Sequence, residues 1–212
     1  SDLVHQALVV IDKVLVRFPQ DPLALTLKGL AHYRLLNHAE AVAAFERALE
    51  IQPKNPAALV GLGDVYFSLE RQGKAQQYYE KAVELNPFYA EAHRRLGEVA
   101  AARRDHEMAA RAFGKLVMLN PDSLQDRYRW AWELVSAGRL EQAMEIYRSI
   151  LEKNPEELEA LLRIGSMHQM LARQDPRKRA EHMRLAREYL ERANRIDPEN
   201  QAVKEMLEKM EK

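Results

Sequence analysis

The chain has 212 residues, 47% of them hydrophobic and 30% charged, which suits one globular domain or repeat array and excludes a disordered polar tail. Its 32 Lys and Arg balance 32 Asp and Glu, so no global field draws it to nucleic acid or anionic lipid, and electrostatic recognition has to be local. Cysteine is absent, which removes disulfides, thiolate zinc sites and cysteine nucleophiles.

No window approaches the roughly 18 apolar residues of a membrane span. The densest stretch is Ala7-Leu8-Val9-Val10-Ile11, and Ser1-Asp2-Leu3 carries neither a basic leader nor a cleavage site. These features predict a soluble segment with no membrane insertion, cytoplasmic by default and with the periplasm as the alternative.

Proline recurs at Pro19, Pro53, Pro87, Pro121 and Pro155, in steps of 34. Two ladders of small residues share the period: Gly29, Gly63, Gly97, Ala131 and Gly165, and Ala41, Ala75, Ala109 and Ala143. A bulky ladder follows them at Phe45, Tyr79, Phe113 and Tyr147. Within each period the apolar residues fall into two runs of helical spacing broken by a short turn, and strand patterns are missing. Small residues let two helices approach closely, and the aromatic ladder fills the space beside that contact.

In chain order, residues 1–21 hold a single helix, the second half of a repeat, with Ala7 and Ile11 on the small and bulky ladders. Full repeats follow at 22–55, 56–89, 90–123 and 124–157. A fifth occupies 158–198 and is longer, since Pro155 and Pro198 stand 43 apart, nine more than the period. The extra length is expected between its two helices, the second running from about 176 to 196 and projecting past its neighbours. Residues 199–212 form a capping helix over the last apolar face. Asn-Pro or Asp-Pro at 21–22, 55–56, 154–155 and 175–176 suits a helix start, the first residue capping and proline opening the helix. Pro87 and Pro121 stop the helices before them.

The stretch Leu59, Leu62-Gly63, Tyr66, Ala75, Tyr79, Ala82, Pro87 resembles the tetratricopeptide repeat family, and the resemblance covers nearly the whole chain. It departs at Lys28, where the family carries leucine, and at Trp130-Ala131 in place of Leu-Gly. The resemblance implies an all-α, right-handed superhelical solenoid of antiparallel helix pairs. It also implies a protein-protein interaction scaffold whose first helices line a concave groove.

On that implication the groove is lined by residues that include Thr26, Tyr33, Val60, Asp64, Phe67, Glu91, Arg94, Glu98, Tyr128, Trp132 and Gln169. Tyr128 and Trp132, one turn apart, are read as apolar anchors for a protein or peptide ligand. Tyr33 and Phe67 either share that role or pack against the neighbouring repeat. Arg95, Arg129 and Arg163 form an arginine ladder beside Arg94. It serves either as forks for a carboxylate-bearing peptide or as partners of acids such as Glu91 and Glu159. Family members that grip a chaperone's C-terminal carboxylate use Lys and Asn at positions held here by Thr26, Leu30, Gly61 and Glu91, and only Arg95 fits. A chaperone-tail clamp is therefore not expected.

The fifth repeat carries Arg173, Arg177, Lys178 and Arg179, a secondary basic site for an acidic partner. With few aromatics interleaved and no known module, nucleic acid is disfavoured. His32 and His168 share the packing position of Tyr66, and His182 is expected on a solvated face. No His pair has metal-ligand spacing, and Gly61-Leu62-Gly63 lies within a helix, so no catalytic, metal or cofactor residue is expected and the chain reads as a non-enzyme. Two other roles remain open: self-assembly as a homo-oligomer through the apolar face of residues 3–16, or service as the recognition module of a larger membrane-associated or enzymatic assembly.

Overall fold

First helices begin at Pro22, Pro56, Ala90, Leu124 and Leu158, each 34 residues after the one before, in a computed structural model that describes residues 2–210. The described residues form twelve α-helices and no strand. They are α1 (Asp2–Arg17), α2 (Pro22–Arg34), α3 (His38–Ile51), α4 (Pro56–Ser68), α5 (Gln72–Leu85), α6 (Ala90–Ala102), α7 (His106–Leu119), α8 (Leu124–Ser136), α9 (Leu140–Lys153), α10 (Leu158–Gln174), α11 (Arg179–Ile196) and α12 (Gln201–Glu208). The chain divides into two compact units, Ser1–Pro121 with α1–α7 and Asp122–Lys212 with α8–α12. Ser1, Glu211 and Lys212, which belong to the expected first and last segments, lie outside the described residues.

Helices pair within repeats, α2 with α3, α4 with α5, α6 with α7, α8 with α9 and α10 with α11. The ladders explain how. A methyl built on Gly29 would fall 2.6 Å from the Phe45 ring, one on Gly97 2.8 Å from Phe113, and one on Gly165 2.9 Å from Leu190. Gly63 stands in the same relation to Tyr79, and Gly61 meets Phe45 from the next repeat. Phe45, Tyr79, Phe113 and Tyr147 are all buried, as are Ala41, Ala75, Ala109 and Ala143. Leu190 and Ala186 take over these two ladders in the fifth repeat, nine residues late.

Each tight turn inside repeats one to four reverses through one left-handed residue: Leu36, Glu70, Arg104 and Gly138, with φ of 61°, 58°, 61° and 78°. Around Glu70 its own N–H reaches Phe67 O at 3.0 Å and Arg71 N–H reaches Tyr66 O at 2.9 Å, which satisfies the last carbonyls of α4. Only one of the four is glycine, so three side chains carry a backbone cost. Glu70→Gly is expected to stabilise the chain by about 0.5–1 kcal/mol, read as a higher denaturant midpoint. A lower midpoint would mean that the Glu70 side chain outweighs the relief.

Asp21 and Asn55 cap as expected, accepting from Ala24 N at 2.8 Å and Ala58 N at 3.0 Å. The other two proline pairs do not open helices. Asn154 and Asp175 close α9 and α10, and their side chains accept from Glu156 N and Arg177 N, two residues on, as turns rather than caps. The second helix of the fifth repeat accordingly starts at Arg179 and not near 176. The added length falls on both helices as well as on the connection. α10 has 17 residues where other first helices have 13, and α11 has 18 where other second helices have 14. The turn between them is one residue longer. Lys28, the departure in the first repeat, reaches Asp12 of α1 at 2.7 Å.

α1 buries no residue fully. Val4, Leu8, Ile11 and Leu15 are half-buried, while Leu3, Ala7, Val10 and Val14 form an exposed stripe on another face. α12 is capped by Asn200, accepting from Val203 N at 3.3 Å, and buries Val203.

Candidate functional site

In the unit Ser1–Pro121 the first helices bring a charged cluster together. Asp64 (α4) is buried and accepts a 2.7 Å hydrogen bond from the Tyr79 hydroxyl of α5. Arg95 (α6) places Nε 3.2 Å from Asp64 Oδ1 and 2.9 Å from Glu91 Oε1, and its Nη1 donates to Glu98 Oε2 at 3.1 Å. One guanidinium thus serves three carboxylates. Arg94 Nε lies 3.8 Å from Glu91. Burial pushes the Asp64 carboxyl above its ordinary range, against the Tyr79 hydrogen bond and the Arg95 charge and with Glu91 and Glu98. Tyr33 is half-buried beside the same group. Burial raises its hydroxyl, Asp64 adds to the rise and Arg95 opposes it.

Phe67 stands apart from this cluster, exposed at the end of α4. Of the residues expected to line the groove, Thr26, Val60 and Asp64 are buried. Thr26 donates its hydroxyl to Pro22 O at 2.7 Å and accepts from Asn55 Nδ2 at 3.0 Å, which ties the cap of α4 to α2.

In the unit Asp122–Lys212, Trp132 (α8) is 52% exposed, and Arg163 (α10) holds its guanidinium carbon 5.4 Å from the indole centroid. Arg163 Nε also donates to Glu159 Oε1 at 2.7 Å, so one cation bridges an acid and an aromatic face. Tyr128 is half-buried: its hydroxyl donates to Glu157 Oε1 at 3.2 Å and its ring lies 5.7 Å from that of Tyr147. Burial raises the Tyr128 hydroxyl and Glu157 adds to the rise. Arg129 is half-buried in the same helix. Of the expected anchors, Trp132 therefore keeps an open ring, whereas Tyr128 is drawn into the packing of α9. Arg173, Arg177, Lys178 and Arg179 are exposed at the tip of the fifth hairpin.

His182 does not sit on a solvated face. Its Nδ1 lies 3.1 Å from Nδ1 of the buried His168, the rings are stacked at 5.3 Å, and Tyr189 stacks on His168 at 6.0 Å. Among the described residues no three His, Asp or Glu are placed to hold a metal.

The reading of the residues missed the Asp64–Tyr79 pair, though a signal existed. The bulky ladder alternates Phe45, Tyr79, Phe113 and Tyr147, and a buried tyrosine needs a partner for its hydroxyl where phenylalanine needs none. The His168–His182 pair had no such signal, since the residues belong to different helices of a hairpin whose added length hides their register.

Helix pairs repeating every 34 residues, with a charged or aromatic first-helix face, define a helical-repeat protein. A family model for the tetratricopeptide repeat matches residues 4–56, 26–88, 60–123 and 128–174, and the chain belongs to that family. A comparison with curated proteins finds no match. Solved structures share the fold. YrrB, a tetratricopeptide repeat protein with an unusual peptide-binding site, is 20% identical, with 93% of this chain and 97% of that one covered at a TM-score of 0.72. TTC0263, a thermophilic repeat protein of Thermus thermophilus, is 24% identical, covering 77% and 90% at 0.56. The first repeat domain of Spaghetti (RPAP3), bound to the HSP90 peptide SRMEEVD, is 23% identical, covering 56% and 97% at 0.53. Proteins of this family generally mediate protein–protein interactions, and no described helix here is long and apolar enough to cross a membrane.

Proposed function

We propose that the chain is a non-enzymatic scaffold that binds a peptide or partner protein on the face of its first helices. The observation that carries this reading is Trp132, which leaves half its surface open while Arg163 covers one side of its ring. A large aromatic held rigid by a cation and otherwise uncovered matches the commonest kind of interface anchor. Peptide binding by YrrB and by the Spaghetti domain supports the choice of ligand class.

A chaperone-tail clamp is a poorer fit. Of the positions that would grip a terminal carboxylate, Thr26 is buried and hydrogen-bonded, and the Arg95 fork is already filled by Asp64, Glu91 and Glu98. In this unit the acids around Arg95 outnumber it, which favours a ligand with a cationic group there.

A peptide selected from a displayed random library on the intact chain tests the reading. Trp132→Ala is expected to weaken that peptide by more than about fivefold, roughly 1 kcal/mol. Equal binding by both proteins would overturn the assignment. The exposed stripe Leu3, Ala7, Val10 and Val14 of α1 favours a second reading, association of two copies through that face. Light scattering at rising concentration would show a dimer that Val10→Asp abolishes, and a monomer throughout would reject it.

A further inference from the structure

α10 ends at Gln174, α11 begins at Arg179, and the chain just past α12 lies against the tip they make. Together they line an open pocket of about 150 Å³. Arg173 from the last turn of α10, Arg179 from the first turn of α11 and Lys209 line it, with Met183 and Met210 as its apolar wall. Gln169 also lines it and donates from Nε2 to the Met206 carbonyl at 3.5 Å, which links α10 to α12.

The charge balance of this pocket is unlike that of its surroundings. Four other cations of the same unit sit against acids: Arg163 on Glu159, Arg184 on Glu188, Lys204 on Glu199 and Lys153 on Asp122. Among the described residues no carboxylate lines the pocket, and Arg173, Arg179 and Lys209 make no ion pair. Three like charges around so small a space raise one another's potential, and an anion between them relieves it. α11 adds to the effect, since no side chain caps its N-terminus and its first amides leave partial positive charge at the same tip. Arg177 and Lys178, exposed in the adjoining turn, extend the positive surface beyond the mouth.

The geometry points to a docking site for an acidic peptide segment of a partner protein, one of whose carboxylates enters between Arg173, Arg179 and Lys209. Two guanidinium forks and an ammonium oppose a carboxylate in charge and offer it more N–H donors than it can accept. The methionines accept the methylenes of a glutamate stem through flexible, polarisable contacts. No aromatic ring lines the pocket to stack a nucleobase, which separates this ligand from RNA. Trp132 does not line this pocket, so either assignment can fail without the other.

The test uses the intact chain carrying methyl-labelled methionine and follows the Met183 and Met210 methyl resonances by NMR. Blocked hexaglutamate peptide at low salt, about 50 mM, is expected to shift both methyls saturably, while hexaglutamine leaves them in place. Arg173→Gln with Arg179→Gln should weaken the glutamate peptide by roughly tenfold or more, and Lys209→Gln alone should weaken it less. Trp132→Ala should leave the titration unchanged. All three basic residues are exposed, and an unaltered circular dichroism spectrum would confirm that the variants fold. Absence of a saturable shift overturns the proposal, as does equal binding by the double variant or by hexaglutamine. Saturation by oligouridylate or by inorganic phosphate without a response to hexaglutamate overturns it as well.

Discussion

Replacing Phe45 with alanine is expected to cost about 3–5 kcal/mol, the largest single effect in the molecule. The ring is fully buried between two helices that both present glycine to it, Gly29 from α2 and Gly61 from α4. Side chains usually soften such a loss by leaning into the space. Here the walls on two sides are backbone, so the cavity persists. Because repeats are stabilised by nearest neighbours, the damage should fall on the first two repeats. Amides of α2–α4 should then exchange faster than those of α8–α11. Phe45→Leu should cost less than half as much. Equilibrium denaturation followed by circular dichroism gives the number, and a loss under about 1 kcal/mol would mean that α2 and α4 close onto each other when the ring is gone.

Acidification supplies the second large effect, through His168 and His182. Two Nδ1 atoms 3.1 Å apart can share one proton, one ring donating and the other accepting, but they repel when both are protonated. Burial above all, then the neighbouring His182 and Arg148, lower the His168 pKa to about 4 against an opposing contribution from Glu181. A folded value below the unfolded 6.5 means that the stabilisation is complete above pH 6.5 and is lost as the pH falls from there towards 4. The fifth hairpin should lose roughly 2 kcal/mol between pH 7 and pH 4. His168→Leu, which copies Leu134 at the same place in the fourth repeat, should remove that slope without removing the fold. Melting curves at a series of pH values on both proteins decide it, and parallel curves would show that the pair contributes no pH dependence.

The period itself carried most of the architecture, since helix starts follow from the proline and glycine ladders once one repeat is placed. The Asn-Pro pairs show where local chemistry misled. Asn55-Pro56 opens a helix and Asn154-Pro155 does not, although the dipeptide is the same. Register separates them. Pro155 belongs to the ladder of Pro53, Pro87 and Pro121, and Asn154 to that of Asn86 and Asn120, which end helices. Proximity across repeats was harder to read. Asp64, Glu91, Glu98 and Arg95 looked like separate groove positions, and only packing of α4 against α6 makes them one network with Tyr79. Lys209 was invisible as part of a basic site, because 36 residues separate it from Arg173 in the chain.

The fifth hairpin is lengthened at one end alone. α10 starts in register with the other first helices, α11 ends two residues before Pro198 as α9 ends two before Pro155, and each has gained about one turn. Growth by matched whole turns keeps the same side chains facing each other below the insertion. The tip is in that sense a separable accessory, open to trimming or rewriting while the repeats beneath it keep their stacking, and a chain built of otherwise interchangeable parts acquires there one feature that its other repeats lack.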